Sequence, residues 1–167
     1  MPYTIRPLNP DSEREMSTVV VFSLMTLWES RPELRVDPAE VPDFGYKATR
    51  TLYEAGIRDP SQRYLIALDD DLQIVGHSIV TLRTGPNGQR VGYFWSRYVV
   101  PSARRKGLAS RFFEDSMSWF ADKEAALAEV HIHVDNKALR SLFTQRGFHA
   151  VDRARDRWEY VILRKEL

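Results

Sequence analysis

The sequence predicts an α/β protein of the α+β kind, with elements in the order β-α-α-β-β-β-α-β-α-β-β. Three observations predict it. Short alternating or continuously apolar segments are interleaved with segments whose apolar residues recur every three or four positions. Asn87-Gly88, inside the polar stretch Thr84-Gly85-Pro86-Asn87-Gly88-Gln89, marks a tight turn between two apolar runs. Further on, the apolar pair Val99-Val100 passes through Pro101 and three cations to Gly107, where a helical pattern begins.

The elements follow in order. Tyr3-Thr4-Ile5-Arg6-Pro7 alternates as a strand and stops at proline. Ser12-Glu13-Arg14-Glu15 has the form of a capping box, and Met16, Val19, Val20, Leu24 and Leu27 repeat at helical spacing after it. Residues Glu29 to Gly45 hold three prolines and break that period, so they read as a loop before a second helix ending near Gly56. Tyr64–Leu68 and Ile74–Leu82 read as strands around an Asp69-Asp70-Asp71 turn, and the Asn-Gly turn closes a hairpin onto a strand from Arg90 to Val100. Leu108, Phe112, Phe113, Met117 and Phe120 give the next helix its apolar stripe. A strand over Val130–Val134, a helix capped by Asp135 or Asn136, and two strands around Val151 and over Trp158–Leu163 complete the chain.

Composition bounds the function. At 167 residues, 43% hydrophobic and 28% charged, the chain is the size of one domain, and a single domain over 1–167 is expected. A net charge of +1 leaves no broad basic face for duplex nucleic acid. The absence of cysteine excludes a disulfide framework, a thiol nucleophile and thiolate metal sites. The most apolar run, Val19–Trp28, is broken by Ser23 and Thr26 and is about half the length that a bilayer needs. A cytoplasmic protein without membrane or nucleic-acid partners is the expectation, with a homodimer left open.

The segment from Val99 to Ala109 describes an anion cradle. The first N–H groups of a helix have no intrahelical partner and carry the positive end of its dipole, and glycine lets an oxyanion approach them. Each amide bond to a charged oxygen is worth about 1.5–3 kcal/mol, against about 0.3–1 for the dipole alone, so backbone geometry supplies the affinity.

These residues carry a resemblance. Arg104-x-x-Gly107-x-Ala109 resembles the Q/R-x-x-G-x-G/A signature of the GCN5-related N-acetyltransferase (GNAT) superfamily. Downstream, Asn136, Leu142-Phe143 and Gly147-Phe148 resemble that family's second block, an Asn, then Leu-Tyr, then Gly-Phe. The likeness is clear from about Val91 to Phe148. It implies the GNAT fold, a mixed and mostly antiparallel sheet of about seven strands flanked by four helices. It also implies acetyl-CoA as acyl donor and transfer of acetyl to a primary amine on a small molecule or peptide. In that family the two central strands splay and admit pantetheine. The likeness thus assigns pantetheine to the backbone of Arg97, Val99 and Val100, and pyrophosphate to Arg104, Arg105, Lys106, Gly107, Leu108, Ala109 and Ser110. Asn136 matches a cofactor contact, a role compatible with plain helix capping.

Two positions depart from the pattern. Phe143 stands where the family usually supplies a tyrosine hydroxyl as general acid, so it keeps the packing and lacks the proton. Tyr98 and water are the candidate replacements, and the Arg97 amide is the candidate oxyanion donor. No carboxylate lies on the strand from Val91 to Val100, which leaves Tyr93, Ser96 and Tyr98 there as candidate bases, with His131 and His133 on one face of the next strand. Two imidazoles without a further clustered ligand do not make a metal site. In that family the first two helices and their connection wall the acceptor side, so the resemblance points the amine to Trp28, Glu29, Glu33, Asp37, Glu40, Asp43, Phe44 and Tyr46, carboxylates beside aromatics that suit a cation. A catalytically weak acyl-CoA sensor is the alternative that Phe143 and the missing glutamate motivate. A phosphate- or nucleic-acid-binding module is disfavoured by the charge balance.

Overall fold

The structure is a computed structural model that describes residues 3–30, 44–155 and 159–167. Strand β1 (Thr4–Pro7) pairs antiparallel with β2 (Gln62–Leu68), Thr4 opposite Leu68 and Pro7 opposite Leu65. Proline has no N–H to give a ladder, and the strand ends on it. Helix α1 (Glu13–Ser30) begins as the capping pattern predicts, with Ser12 Oγ accepting the Glu15 N–H at 3.3 Å. The Glu15 carboxylate, which a full capping box would turn back to Ser12, is engaged by the Asn9 N–H at 2.8 Å and by Arg6 at 2.7 Å.

Helix α2 (Phe44–Gly56) precedes β2, and β3 (Ile74–Thr84) and β4 (Arg90–Val99) flank the predicted hairpin turn, where Gly88 takes φ +76°. A short 3₁₀ turn (Pro101–Ala103) leads to α3 (Leu108–Asp122), β5 (Leu127–His133), α4 (Lys137–Thr144), β6 (His149–Arg155) and β7 (Glu159–Glu166). The seven strands form one sheet in the order β1-β2-β3-β4-β5-β7-β6. This is the expected seven-stranded mixed sheet with four helices. The pair β4–β5 is parallel, whereas β5–β7 and β6–β7 are antiparallel.

Strands β2 and β3 each extend two residues beyond expectation, β2 starting at Gln62 and β3 ending at Thr84, and two other boundaries differ by three. Strand β5 starts at Leu127, three residues before the predicted Val130, because Leu127, Ala128 and Glu129 pair with β4 on one side and β7 on the other. Ala and Glu carry little intrinsic strand preference, and pairing on both edges overrides it. The last strand runs on to Glu166, three residues past Leu163. Its predicted start at Trp158 lies outside the described residues, as do Glu33, Asp37, Glu40 and Asp43.

The chain folds into two compact units, Met1–Ile79 with Ser96–Phe113, and Val80–Trp95 with Glu114–Leu167. In the first, Tyr3, Leu65, Ala67, Val75, Ala103, Leu108 and Phe112 form a buried cluster against which Ile5, Val99 and Val100 pack. In the second, Phe94 is surrounded edge-on by Phe120, Phe143 and Phe148, with ring centroids 5.2, 5.1 and 6.1 Å away. The Phe120 ring lies where a side chain at Gly92 would begin, so β4 needs glycine there. The parallel ladder matches Val91–Phe94 with Leu127–Val130 and ends at that pair, although β4 runs on to Val99 and β5 to His133. Among the described residues, no helix is long and apolar enough to cross a membrane.

Candidate active site

The loop after β4 has the geometry that the sequence suggests. Val100 gives its N–H to Val75 O on β3, and its carbonyl accepts the Ala103 N–H, closing the 3₁₀ turn. Arg105 then takes φ +60° and Gly107 φ +81°, left-handed values two residues apart. Such alternation turns successive N–H groups toward one concavity, a nest for an anion. Gly107 O accepts the Arg111 N–H at 3.1 Å, which makes Gly107 the N-cap and Leu108 the first residue of α3. Leu108 and Ala103 are buried and anchor the turn, whereas Arg104, Arg105, Lys106, Gly107 and Ala109 face solvent and Ser110 is half-buried.

Helix α1 lays a polar stripe along the end of β4. Ser23 Oγ lies 3.1 Å from Ser96 Oγ, Thr26 donates to Arg97 O at 2.9 Å, and Glu29 Oε1 accepts from the Tyr98 hydroxyl at 3.1 Å. Arg104 closes the stripe onto the loop, donating to both Glu29 oxygens at 2.8 Å and through Nε to Val99 O at 2.8 Å. Burial and the Glu29 carboxylate both raise the Tyr98 pKa above the ordinary tyrosine value. Glu29 is thus tied to Tyr98 and Arg104, a link that the sequence does not announce. Residues 23, 26 and 29 recur at three-residue spacing, and that spacing is the signal for it. The polar interruptions of the apolar run are the contacts to β4.

The strand also sorts its backbone groups. Successive residues of a strand direct N–H and C=O to opposite edges. Since the Val100 N–H is used on β3, Arg97 and Val99 direct theirs away from it.

The remaining sequence-predicted residues divide among other contacts. Tyr46 accepts from Arg50, which also bridges Glu13 and Glu54. Trp28 is half-buried, and Phe44 enters only as the first residue of α2. In the second unit, Asn136 caps α4, its Oδ1 accepting the Leu139 N–H at 3.1 Å. Phe143 is completely buried, its ring 5.0 Å from Phe148. The two rings close a Schellman turn at the end of α4, in which Phe148 N–H meets Phe143 O and Gly147 takes φ +87°. His131 Nε2 lies 2.8 Å from Glu129, whose other oxygen accepts from Arg164 at 2.6 Å. His133 Nδ1 accepts the Asp135 N–H at 3.2 Å, so its neutral ring carries the proton on Nε2.

A family model described as the acetyltransferase (GNAT) family matches residues 24–148. The chain belongs to that family. The match reaches back to the middle of α1, well before the motifs that resemble it in sequence. No curated protein sequence matches this GNAT acetyltransferase. Among solved structures it is similar to the PaiA N-acetyltransferase of Thermoplasma acidophilum in complex with coenzyme A, at 13% identity and TM-score 0.77 over 100% of both chains. It is also similar to a mutant of the spermidine N-acetyltransferase SpeG of Vibrio cholerae, at 14% identity and TM-score 0.69 over 99% of this chain and 94% of that one. A third similar structure is the NatC complex bound to Gag peptide and coenzyme A, at 15% identity and TM-score 0.65 over 100% and 99%. At these identities the likeness is one of fold.

Proposed function

We propose that this GNAT acetyltransferase moves an acetyl group from acetyl-CoA to a primary amine on a small molecule or peptide by direct attack. The observation that carries the reading is the loop itself, left-handed at Arg105 and Gly107 and delivering the exposed start of α3. The amides from Arg105 to Ser110 hold the pyrophosphate there. In this reading Arg97 and Val99 act as a false strand toward pantetheine, with Val100 contributing packing, because its N–H serves β3. Arg104 donates to the Val99 carbonyl and Thr26 to the Arg97 carbonyl, and in this reading the Arg97 amide is the donor toward the developing oxyanion.

An alkylamine with pKa near 10.4 is neutral in less than about one part in a thousand at pH 7, so the acceptor site must favour its free base. Glu29, Trp28 and Tyr46 form the described part of the acceptor side in this reading. Tyr98 serves as hydrogen-bond donor to the departing thiolate by turning its one hydroxyl proton from Glu29 to the sulfur, and its raised pKa keeps that proton in place at neutral pH. A thiol of pKa about 8.5 leaves without full protonation, which accommodates phenylalanine at 143. His133 has no part in this scheme, because its Nδ1 lone pair is taken by Asp135.

The test is thiol release from acetyl-CoA across a panel of polyamines, small amines and peptides. Amine-dependent release is expected. Binding of acetyl-CoA with no release for any amine would replace the enzyme with a sensor.

A further inference from the structure

A buried polar cluster within the first unit has no role in the scheme above. His77 on β3 is fully buried, with Nε2 2.8 Å from Ser96 Oγ and 3.3 Å from Ser23 Oγ. Tyr53 donates to Ser23 at 2.7 Å, and Ser23 donates back along α1 to Val19 O at 3.0 Å. His77 Nδ1 has no partner among the described residues.

Counting protons assigns the network. A buried N–H without an acceptor is rarer than a bare acceptor, so the His77 proton belongs on Nε2 and the lone pair on Nδ1. Nε2–H then donates to Ser96. The one Ser23 proton goes to Val19 O, so the Ser23 oxygen is free to accept from both Tyr53 and Ser96. The Ser96 proton is directed inward, toward Ser23 and Tyr53, while its residue is half-buried at the end of β4 beside Arg97. What Ser96 has left to offer is an acceptor.

Resting on the acetyltransferase reading, we propose that Ser96 receives an N–H of the acceptor amine, and that His77 is the positioning residue that keeps Ser96 in this state. The amine then presents its lone pair from a fixed orientation next to the Arg97 amide. Ser96 takes no proton in this step, and His77 stays neutral. Burial, reinforced by the Arg97 charge, pushes its pKa down to about 3.

Steady-state kinetics of Ser96→Ala, Ser96→Thr, His77→Leu and His77→Gln test this, with calorimetry of acetyl-CoA binding alongside. Ser96→Ala and His77→Leu are expected to raise the amine KM by about tenfold, the scale of one hydrogen bond, and to leave the acetyl-CoA Kd within about twofold. Ser96→Thr and His77→Gln, which keep the hydroxyl and the donor, are expected to stay within about threefold of the parent KM. ¹⁵N NMR of His77 is expected to show the Nε2–H tautomer. An unchanged amine KM in an active Ser96→Ala enzyme, or the Nδ1–H tautomer, overturns the proposal and leaves the acetyltransferase reading standing. A parent protein that releases no thiol with any amine overturns both.

Discussion

Gly107 combines two requirements that only glycine meets together. Its φ of +81° lies in the left-handed region, and an oxyanion must come close to the amides that follow it. Gly107→Val is therefore expected to abolish acetyl-CoA binding in calorimetry and to cost about 1–3 kcal/mol of stability in urea unfolding. Retained affinity would contradict the cradle. The sequence signals the need for close approach; the backbone strain at Arg105, φ +60°, has no sequence signal, since an arginine carries no preference for that region. His77 is silent in the sequence for a similar reason. It lies in an apolar run, and only the three-dimensional proximity of Ser23 and Ser96 gives it a partner. Its consequence is measurable as pH dependence. The unfolded chain takes up a proton near pH 6.5 and the folded chain near 3, so this contribution is complete above about 6.5 and is lost as pH falls. The slope is about 1.4 kcal/mol per pH unit within that window. Urea unfolding from pH 7 to 5 is expected to show it in the parent and not in His77→Gln.

At the scale of elements, helix ends were the most legible feature and edge-determined strand bounds the least. Ser12 and Asn136 are caps by residue type, and Gly147 stops α4 as a Schellman glycine. Asn136→Ala is expected to cost about 1 kcal/mol in denaturant unfolding through the lost Leu139 bond, whatever its effect on cofactor binding. Equal stability of the variant would show that the cap carries no weight. The start of β5 was not legible because Leu127–Glu129 become strand through pairing on both edges. The stripe of Ser23, Thr26 and Glu29 was visible as spacing, yet its meaning depends on which strand lies beneath α1. Tyr98, Glu29 and Arg104 carry separate expected duties in the sequence, and the fold ties the three side chains together.

For the molecule as a whole, the order of elements and the seven-stranded mixed sheet follow from periodicity and turn residues, and the family follows from two motifs in sequence. The two compact units share strands, since β3 crosses from one to the other at Ile79 and β4 at Trp95. The single domain expected from length is thus proposed to unfold in one calorimetric transition, with calorimetric and van't Hoff enthalpies equal. Two resolved transitions would refute it. The claim on which the function rests is narrower, that main chain from Arg105 to Ser110 grips a diphosphate. A crystal structure with acetyl-CoA measures this directly. The account requires phosphate oxygens within hydrogen-bond distance of the amides at the start of α3, with the thioester running along Val99 and Arg97. A cofactor bound elsewhere, with that turn empty, would contradict it.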